Sequence, residues 1–258
     1  MTAHTGPKAL TEYILYQSKH KANKTFYILL AQGILAGMYI AIGAVGSLKA
    51  ATAVADPGLG SFLGALVFPV GIIAILLMQA ELFTSDCMVM VAVFAGRTKI
   101  TKIIRILFLI LLANLIGAIF IAYLTGASGI FDAKAMELVI GKAVHKAELP
   151  IPELLASSIF CNIIVCTGVC LAYSCKEEIS KVVVVWLAIT VFVLSSTEHV
   201  VANMYYLFVA YFNGAELTLV QIFRNLSVAA VGNFIGGGLI VSGANYLLAY
   251  RDIEKPHK

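Results

Sequence analysis

The sequence predicts an all-α integral membrane protein with six transmembrane helices in two inverted three-helix repeats, the second and fifth helices being broken. Three observations lead there: the composition, the lengths of the apolar runs, and a motif that returns after 119 residues. Of 258 residues, 60% are hydrophobic and 12% charged. Soluble domains run nearer half and a quarter, so the composition argues against a water-soluble enzyme. The formal charge of +4 is too mild to point to nucleic acid. Five cysteines, Cys87, Cys161, Cys166, Cys170 and Cys175, lie in or beside apolar runs without a CxxC pair. With histidine scarce, they read as small packing residues, and neither a metal site, a disulfide framework nor a bound cofactor is indicated. Residues 1–24 lack the apolar core and cleavage site of a signal peptide, so the mature chain is expected to begin there.

A span needs about 20 apolar residues. The candidates are 25–48, 61–95, 103–124, 152–174, 182–212 and 227–250. The second and fifth are too long for one straight crossing at about 1.5 Å per residue. Both carry polar groups at their middles, Gln79, Glu81, Thr84, Ser85 and Asp86 in one, and Ser195 to His199 and Asn203 in the other. Each is therefore expected to be broken near the midplane, where irregular backbone must be buried in protein or face a water-filled cavity. Six crossings put both termini on one side, with thirteen of the eighteen basic residues. The other side holds Lys49, Lys134, Lys142, Lys146 and Arg224. The positive-inside bias places the termini in the cytoplasm.

Glu81 and Glu198 are 117 residues apart, and Asn114-Leu-Ile-Gly117 returns as Asn233-Phe-Ile-Gly236 after 119. Such motifs also serve plain helix packing. Their pairing with two interrupted spans indicates a duplicated unit, and three crossings per unit force the copies into opposite orientations, a pointer to a transport pathway. The organisation expected is one transmembrane domain over 1–258, with an N-terminal segment at 1–24 and repeats at 25–124 and 152–250.

His199 is the only histidine within a span, where an ionisable group is costly and functional by default. Glu198 beside it reads as a proton relay, an ion ligand or an orienting group, with Asn203 one turn on. Thr84 offers a hydroxyl at the first break, or bonds back to a helix carbonyl. Phe68, Ile72, Leu82, Phe83 and Phe192 are large apolar residues near the breaks, either core or constrictions that exclude ions by dewetting. Lys146 lies in a long loop ahead of the fourth span and either draws anions into a vestibule or is simply solvated. Leu10, Tyr13, Ile14 and Gln17 have helical spacing, predicting an amphipathic helix that lies on the membrane or covers a pore mouth.

The runs Gln32-Gly-Ile-Leu-Ala-Gly-Met-Tyr-Ile40, Glu81-Leu-Phe-Thr-Ser85, Cys161-Asn-Ile-Ile-Val-Cys166, Glu198-His-Val-Val-Ala-Asn-Met204 and Gly232-Asn-Phe-Ile-Gly-Gly-Gly238 together resemble the formate/nitrite transporter family over residues 8–250. The resemblance implies an aquaporin-like homopentamer with one pore per protomer, carrying small anions across the cytoplasmic membrane without enzymatic activity. It makes His199 the central pore histidine, Thr84 its hydroxyl partner, and Lys146 a vestibule lysine. Glu198 and Asn162 would orient the histidine and polarise the site. Phe68, Ile72 and Phe192 map to two apolar constrictions, with Leu82 and Phe83 on the second-span loop. Thr197 stands where formate channels carry an aromatic residue and Ile72 replaces a leucine, so the chain looks most like the hydrosulfide-channel branch, with formate and nitrite as further substrates. Two other classes remain open at this level. A neutral-solute pore would suit the fold, but no Asn-Pro-Ala pair occurs at either break. A membrane redox enzyme would need more than one in-span histidine.

Overall fold

The computed structural model describes residues 5–253, and among them every regular element is helical. In order they are α1 (Pro7–Asn23), α2 (Phe26–Thr52), α3 (Pro57–Val67), α4 (Val70–Leu77), α5 (Phe83–Asp86), a 3₁₀ turn (Cys87–Met90), α6 (Val91–Phe94), α7 (Ile100–Ala127), α8 (Ala133–Glu148), α9 (Ile151–Tyr173), α10 (Glu178–Leu194), α11 (Val200–Phe212), α12 (Leu219–Asn233), a π-helical segment (Phe234–Val241) and α13 (Ser242–Ile253). Lys255 and Lys258 of the basic tail lie outside the described residues.

Five helical stretches are long and apolar enough to cross a membrane: α2, Pro57–Leu77, α7, α9 and Leu219–Ala249. The expected fifth span, 182–212, is divided between α10, of 17 residues, and α11, of 13. The second begins earlier than its apolar run suggested. Asp56 caps α3 by accepting the Leu59 N–H at 2.6 Å, and Pro57 follows at the first helical position. Pro69 then separates α3 from α4, since it has no N–H for the preceding turn.

The helices stop where the polar runs predicted. The chain leaves α4 at Met78 and re-enters a helix at Phe83, with Gln79 in the left-handed region at φ 53°. It leaves α10 at Leu194 and re-enters at Val200, with Ser196 at φ 49°. Gln32 on α2 steadies the first break. Its side-chain amide donates to the Gln79 carbonyl at 2.9 Å, and its own carbonyl accepts the Glu81 N–H at 3.3 Å.

Two close helix pairs frame the breaks. Where α2 crosses α7, a Cβ on Gly37 would stand 2.0 Å from the Asn114 carbonyl oxygen, and one on Gly117 would stand 2.0 Å from that of Ile34. Only glycine permits this approach. The pairing of α9 with α12 and the π-helical segment that continues it has the same character, with the Ile159 carbonyl 2.3 Å from a Cβ on Gly236. Contact this close brings one asparagine from each pair onto a break. Asn114 Oδ1 accepts the Phe83 N–H at 2.9 Å, and its amide donates to the Gly33 and Glu81 carbonyls at 2.8 and 3.0 Å. Asn233 Oδ1 accepts the Val200 N–H at 2.9 Å, and its amide donates to the Ser158 and Glu198 carbonyls at 2.7 and 3.0 Å. Each bracket satisfies two buried backbone groups that the break leaves free, and its second amide hydrogen anchors it to a carbonyl of the neighbouring continuous helix.

One element differs from expectation. The stretch ahead of the fourth span is the helix α8, not a loop. Asp132 caps it by accepting the Ala135 N–H at 2.8 Å. It buries the small residues Ala135, Val139, Ala143 and Ala147, a four-residue period too weakly apolar to read as a span. The N-terminal helix forms over Pro7–Asn23, and it docks on protein through Thr11, Ile14 and Ser18. The Thr11 hydroxyl donates to the Asn245 carbonyl at 3.2 Å. Tyr13 stays largely exposed, its ring 4.8 Å from that of Tyr173, and its hydroxyl accepts from Gln17 at 3.1 Å. Lys21 of α1 pairs with Glu81 and Asp86, and Lys24 reaches Glu81 at 2.6 Å. Burial alone would lower the Lys21 pKa; the Asp86 and Glu81 carboxylates more than offset it and hold the ammonium above the usual lysine range.

Candidate functional site

His199 is the last residue before α11 and serves as its N-cap, Nδ1 accepting the Ala202 N–H at 3.2 Å. A nitrogen that accepts a backbone N–H carries no hydrogen, so the ring hydrogen is assigned to Nε2. Nε2 stands 2.9 Å from the hydroxyl of Thr84, in the first turn of α5. Thr84 therefore accepts from the imidazole, and its own hydroxyl hydrogen has no acceptor among the described residues. Both side chains are almost fully buried, His199 at 2% exposure and Thr84 at 0%. The two breaks thus present a hydroxyl and an N–H to one another, 115 residues apart in sequence.

The apolar residues close around this pair. The Phe192 ring centroid is 5.5 Å from that of His199 and 5.8 Å from that of Phe68, which meets it at 70°. Phe68 lies at the Pro69 kink, and Ile72 is buried one turn on. Leu82 and Phe83 are buried beside Thr84 on its own segment. Thr197 is half-buried, its hydroxyl donating to the Phe192 carbonyl at 3.4 Å.

Asn162 does not reach the imidazole. Its amide donates to the Thr84 carbonyl at 3.0 Å and to the Asn233 carbonyl at 2.6 Å, so it holds the hydroxyl side of the pair through the main chain. One turn along α9, Cys166 donates to the same Thr84 carbonyl at 3.3 Å. The π-helical widening beside them keeps Gly237 against Asn162, where a Cβ would meet Nδ2 at 2.5 Å. Four of the five thiols are buried as packing residues, and Cys175 is half-buried.

Glu198 is 3% exposed. Lys146 donates to Oε1 at 2.7 Å and Asn203 to Oε2 at 2.6 Å. The Asn203 amide also donates to Asn225 Oδ1 at 2.9 Å, and Asn225 Nδ2 donates to the Lys146 carbonyl at 2.8 Å. These four residues form a closed ring that grips Lys146 at both ends. The Tyr206 ring covers its ammonium, with the nitrogen 5.8 Å from the centroid. Asn203 Oδ1 has no partner among the described residues and remains an open acceptor. Lys146 is thus neither free in solvent nor in a loop.

Sequence reasoning missed Asn225 and the bracket roles of Asn114 and Asn233. The available signal was simple: a primary amide inside an apolar helix is costly unless its bonds are filled. Arg224 was also passed over; it donates to the Ala147 and Leu149 carbonyls at 2.8 and 2.7 Å, closing the end of α8.

Replacing Lys146 with Met should leave Glu198 Oε1 buried without a donor and cost about 2–3 kcal/mol. Adding Glu198→Gln should recover half or more of that loss, because an amide needs no counter-charge. Thermal unfolding of the purified single and double variants checks both.

An all-helical apolar bundle with two interrupted helices meeting at a buried polar pair defines a membrane transport protein. The profile of the Formate/nitrite transporter family matches residues 8–247, and the chain belongs to that family, whose members are channels and transporters of the cell membrane. It is 32% identical to the uncharacterized transporter YrhG of Bacillus subtilis (strain 168), over 98% of this chain and 96% of that one. It is also 32% identical to the formate channel FocA of Haemophilus influenzae, over 91% of both chains. Among solved structures, a pentameric formate channel with formate bound superposes with a TM-score of 0.80 at 27% identity, covering 88% of this chain and 98% of that one. An FNT family ion channel superposes with a TM-score of 0.85 at 23% identity, covering 92% and 98%.

Proposed function

We propose that this chain is a channel for small monovalent anions of weak acids, working as a homopentamer in the cytoplasmic membrane with one pore per protomer. The observation that carries the reading is the Thr84–His199 pair, Nε2 and the hydroxyl oxygen 2.9 Å apart with the hydroxyl hydrogen uncommitted, buried among Phe68, Phe192, Leu82 and Phe83. A bare anion entering an apolar region loses its hydration at heavy cost. The free Thr84 hydroxyl hydrogen, backed by the imidazole N–H that bonds its oxygen, replaces part of that hydration, aided by the N-terminal ends of the half-helices α5 and α11. An anion that can take up a proton crosses the apolar rings as a neutral acid, which formate, nitrite and hydrosulfide can do and chloride cannot. The formate-channel relatives support formate as a substrate. Thr197 and Ile72 are the residues that favour hydrosulfide.

The matching Asn114 and Asn233 brackets support an inverted repeat of 25–124 and 152–250 within a single domain, and the basic excess supports cytoplasmic termini. In this reading Asn162 positions Thr84, the Glu198–Asn203–Lys146 ring positions His199 from the other side, and Phe68, Ile72 and Phe192 with Leu82 and Phe83 form the two constrictions.

The test is anion flux in proteoliposomes, comparing hydrosulfide, formate, nitrite and chloride at two pH values. Weak-acid anions should permeate and chloride should not. His199→Phe should change the selectivity or remove the pH dependence. Unchanged flux and pH profile in that variant would sink the proposed role of the histidine. Solute-driven swelling without an anion gradient would favour a neutral-solute pore instead.

A further inference from the structure

The positive charge that an approaching anion meets at the α8 end of the bundle is not supplied by Lys146. Its ammonium is paired with Glu198 at 2.7 Å, and the two charges cancel at a distance. Arg224, also at this end, turns its guanidinium to the carbonyls of Ala147 and Leu149, the negative end of α8. One turn before Lys146 on the same helix stands Lys142. Residues four apart on a helix lie about 6 Å from one another on one face. The buried stripe Ala135–Val139–Ala143–Ala147 fixes which face that is: Lys142 and Lys146 step outward along one edge of it. Among the described residues Lys142 has neither an ion-pair nor a hydrogen-bond partner, and its side chain is open to solvent.

We propose that Lys142 is an outer docking site for the permeating anion, a free ammonium that collects small monovalent anions and passes them along the edge of α8 toward Lys146 and the Thr84–His199 pair. This rests on the channel reading above. Its surroundings agree with it: protein crowding, and after it the Lys146 charge one turn away, lower the Lys142 pKa, as expected of an ammonium that lacks a counter-ion. An anion arriving there supplies the missing charge. Glu148, two residues past Lys146, is exposed but forms no ion pair with either lysine.

The experiment is initial formate flux through the full-length protein in proteoliposomes, with Lys142→Gln, Lys142→Glu and Lys142→Arg, at low and high ionic strength. Charge steering acts over a screening length of about 30 Å at 0.01 M salt and about 3 Å at 1 M. At low salt Lys142→Gln should reduce flux about three- to tenfold, Lys142→Glu should reduce it further, and Lys142→Arg should match the unmodified protein. At 1 M all four should converge, which also shows that the variants are folded. Equal flux at low salt in Lys142→Gln and the unmodified protein overturns the docking site. So does a deficit that persists unchanged at high salt, which would mark Lys142 as structural. Absence of formate, nitrite and hydrosulfide flux alike in the unmodified protein overturns the channel reading, and the docking site with it.

Discussion

Asn233→Leu should lower the unfolding free energy by about 2–6 kcal/mol, and abolish anion flux. Leucine fills the same space but strands the Val200 N–H and the Glu198 carbonyl, while the Ser158 carbonyl loses only a second bond inside α9. Each buried backbone group stranded in this way costs about 1–3 kcal/mol. The loss falls on both sides of His199, since Glu198 and Val200 are its chain neighbours, so the histidine should lose its position as well. Asn233→Asp separates the terms. Buried between two carbonyl oxygens the acid is held protonated, so it keeps the acceptor for Val200 and one donor in place of two, and should fall between the parent and the leucine variant. Asn114→Leu should cost as much at the other break, where Phe83, Gly33 and Glu81 lose the same set of bonds. Thermal unfolding in detergent, with formate flux alongside, checks the series. A change below about 1 kcal/mol in Asn233→Leu would show that other contacts hold the break.

Gly117→Val should prevent assembly of the folded protein. The added Cβ would sit 2.0 Å from the Ile34 carbonyl oxygen, and the obstacle is backbone, so no side-chain rotation relieves it. Separating α2 from α7 would also pull Asn114, three residues from Gly117, off the first break. Ordinary overpacking costs about 1–3 kcal/mol, and a clash of backbone against backbone belongs at or above the top of that range. Gly141→Ala on α8 is the control. Nothing lies within 4 Å of its Cβ, and alanine there should be neutral or stabilise by about 0.5–1 kcal/mol. The yield of folded protein and its melting temperature distinguish the two variants.

What could be read from the sequence was whatever the apolar layer makes expensive. A charge or amide inside an apolar run stands out by its cost, so the breaks near Gln79 and Ser196 and the residues Thr84, Glu198 and His199 were visible before any coordinates. Helix α8 was not, because its buried stripe is made mostly of alanines and its composition is that of a loop. The partner of each polar group was hidden for a different reason. Asn162 meets Thr84 through a carbonyl, and Asn225 closes the ring around Lys146 through another; a main-chain acceptor leaves no mark on the identity of the residue that supplies it. The face of α1 was legible only in part: Ile14 of the apolar spacing docks, but so do Thr11 and Ser18, whose small hydroxyls carry no apolar signal.

Each break carries a carboxylate neutralised by lysine from a helix outside the apolar spans, Glu81 by Lys21 and Lys24, and Glu198 by Lys146. In both cases the lysine comes first in the chain, by 60 and 57 residues at the first break and by 52 at the second. Synthesis at about 5–20 residues per second puts the ammonium ahead of its carboxylate by roughly 3 to 12 s. During that interval the waiting charge belongs to a surface helix that water can solvate. The carboxylate, which would cost about 3 kcal/mol alone in the hydrocarbon layer, emerges to a counter-charge already made. The reverse order would strand the acid, so the direction of translation suits the placement of these pairs.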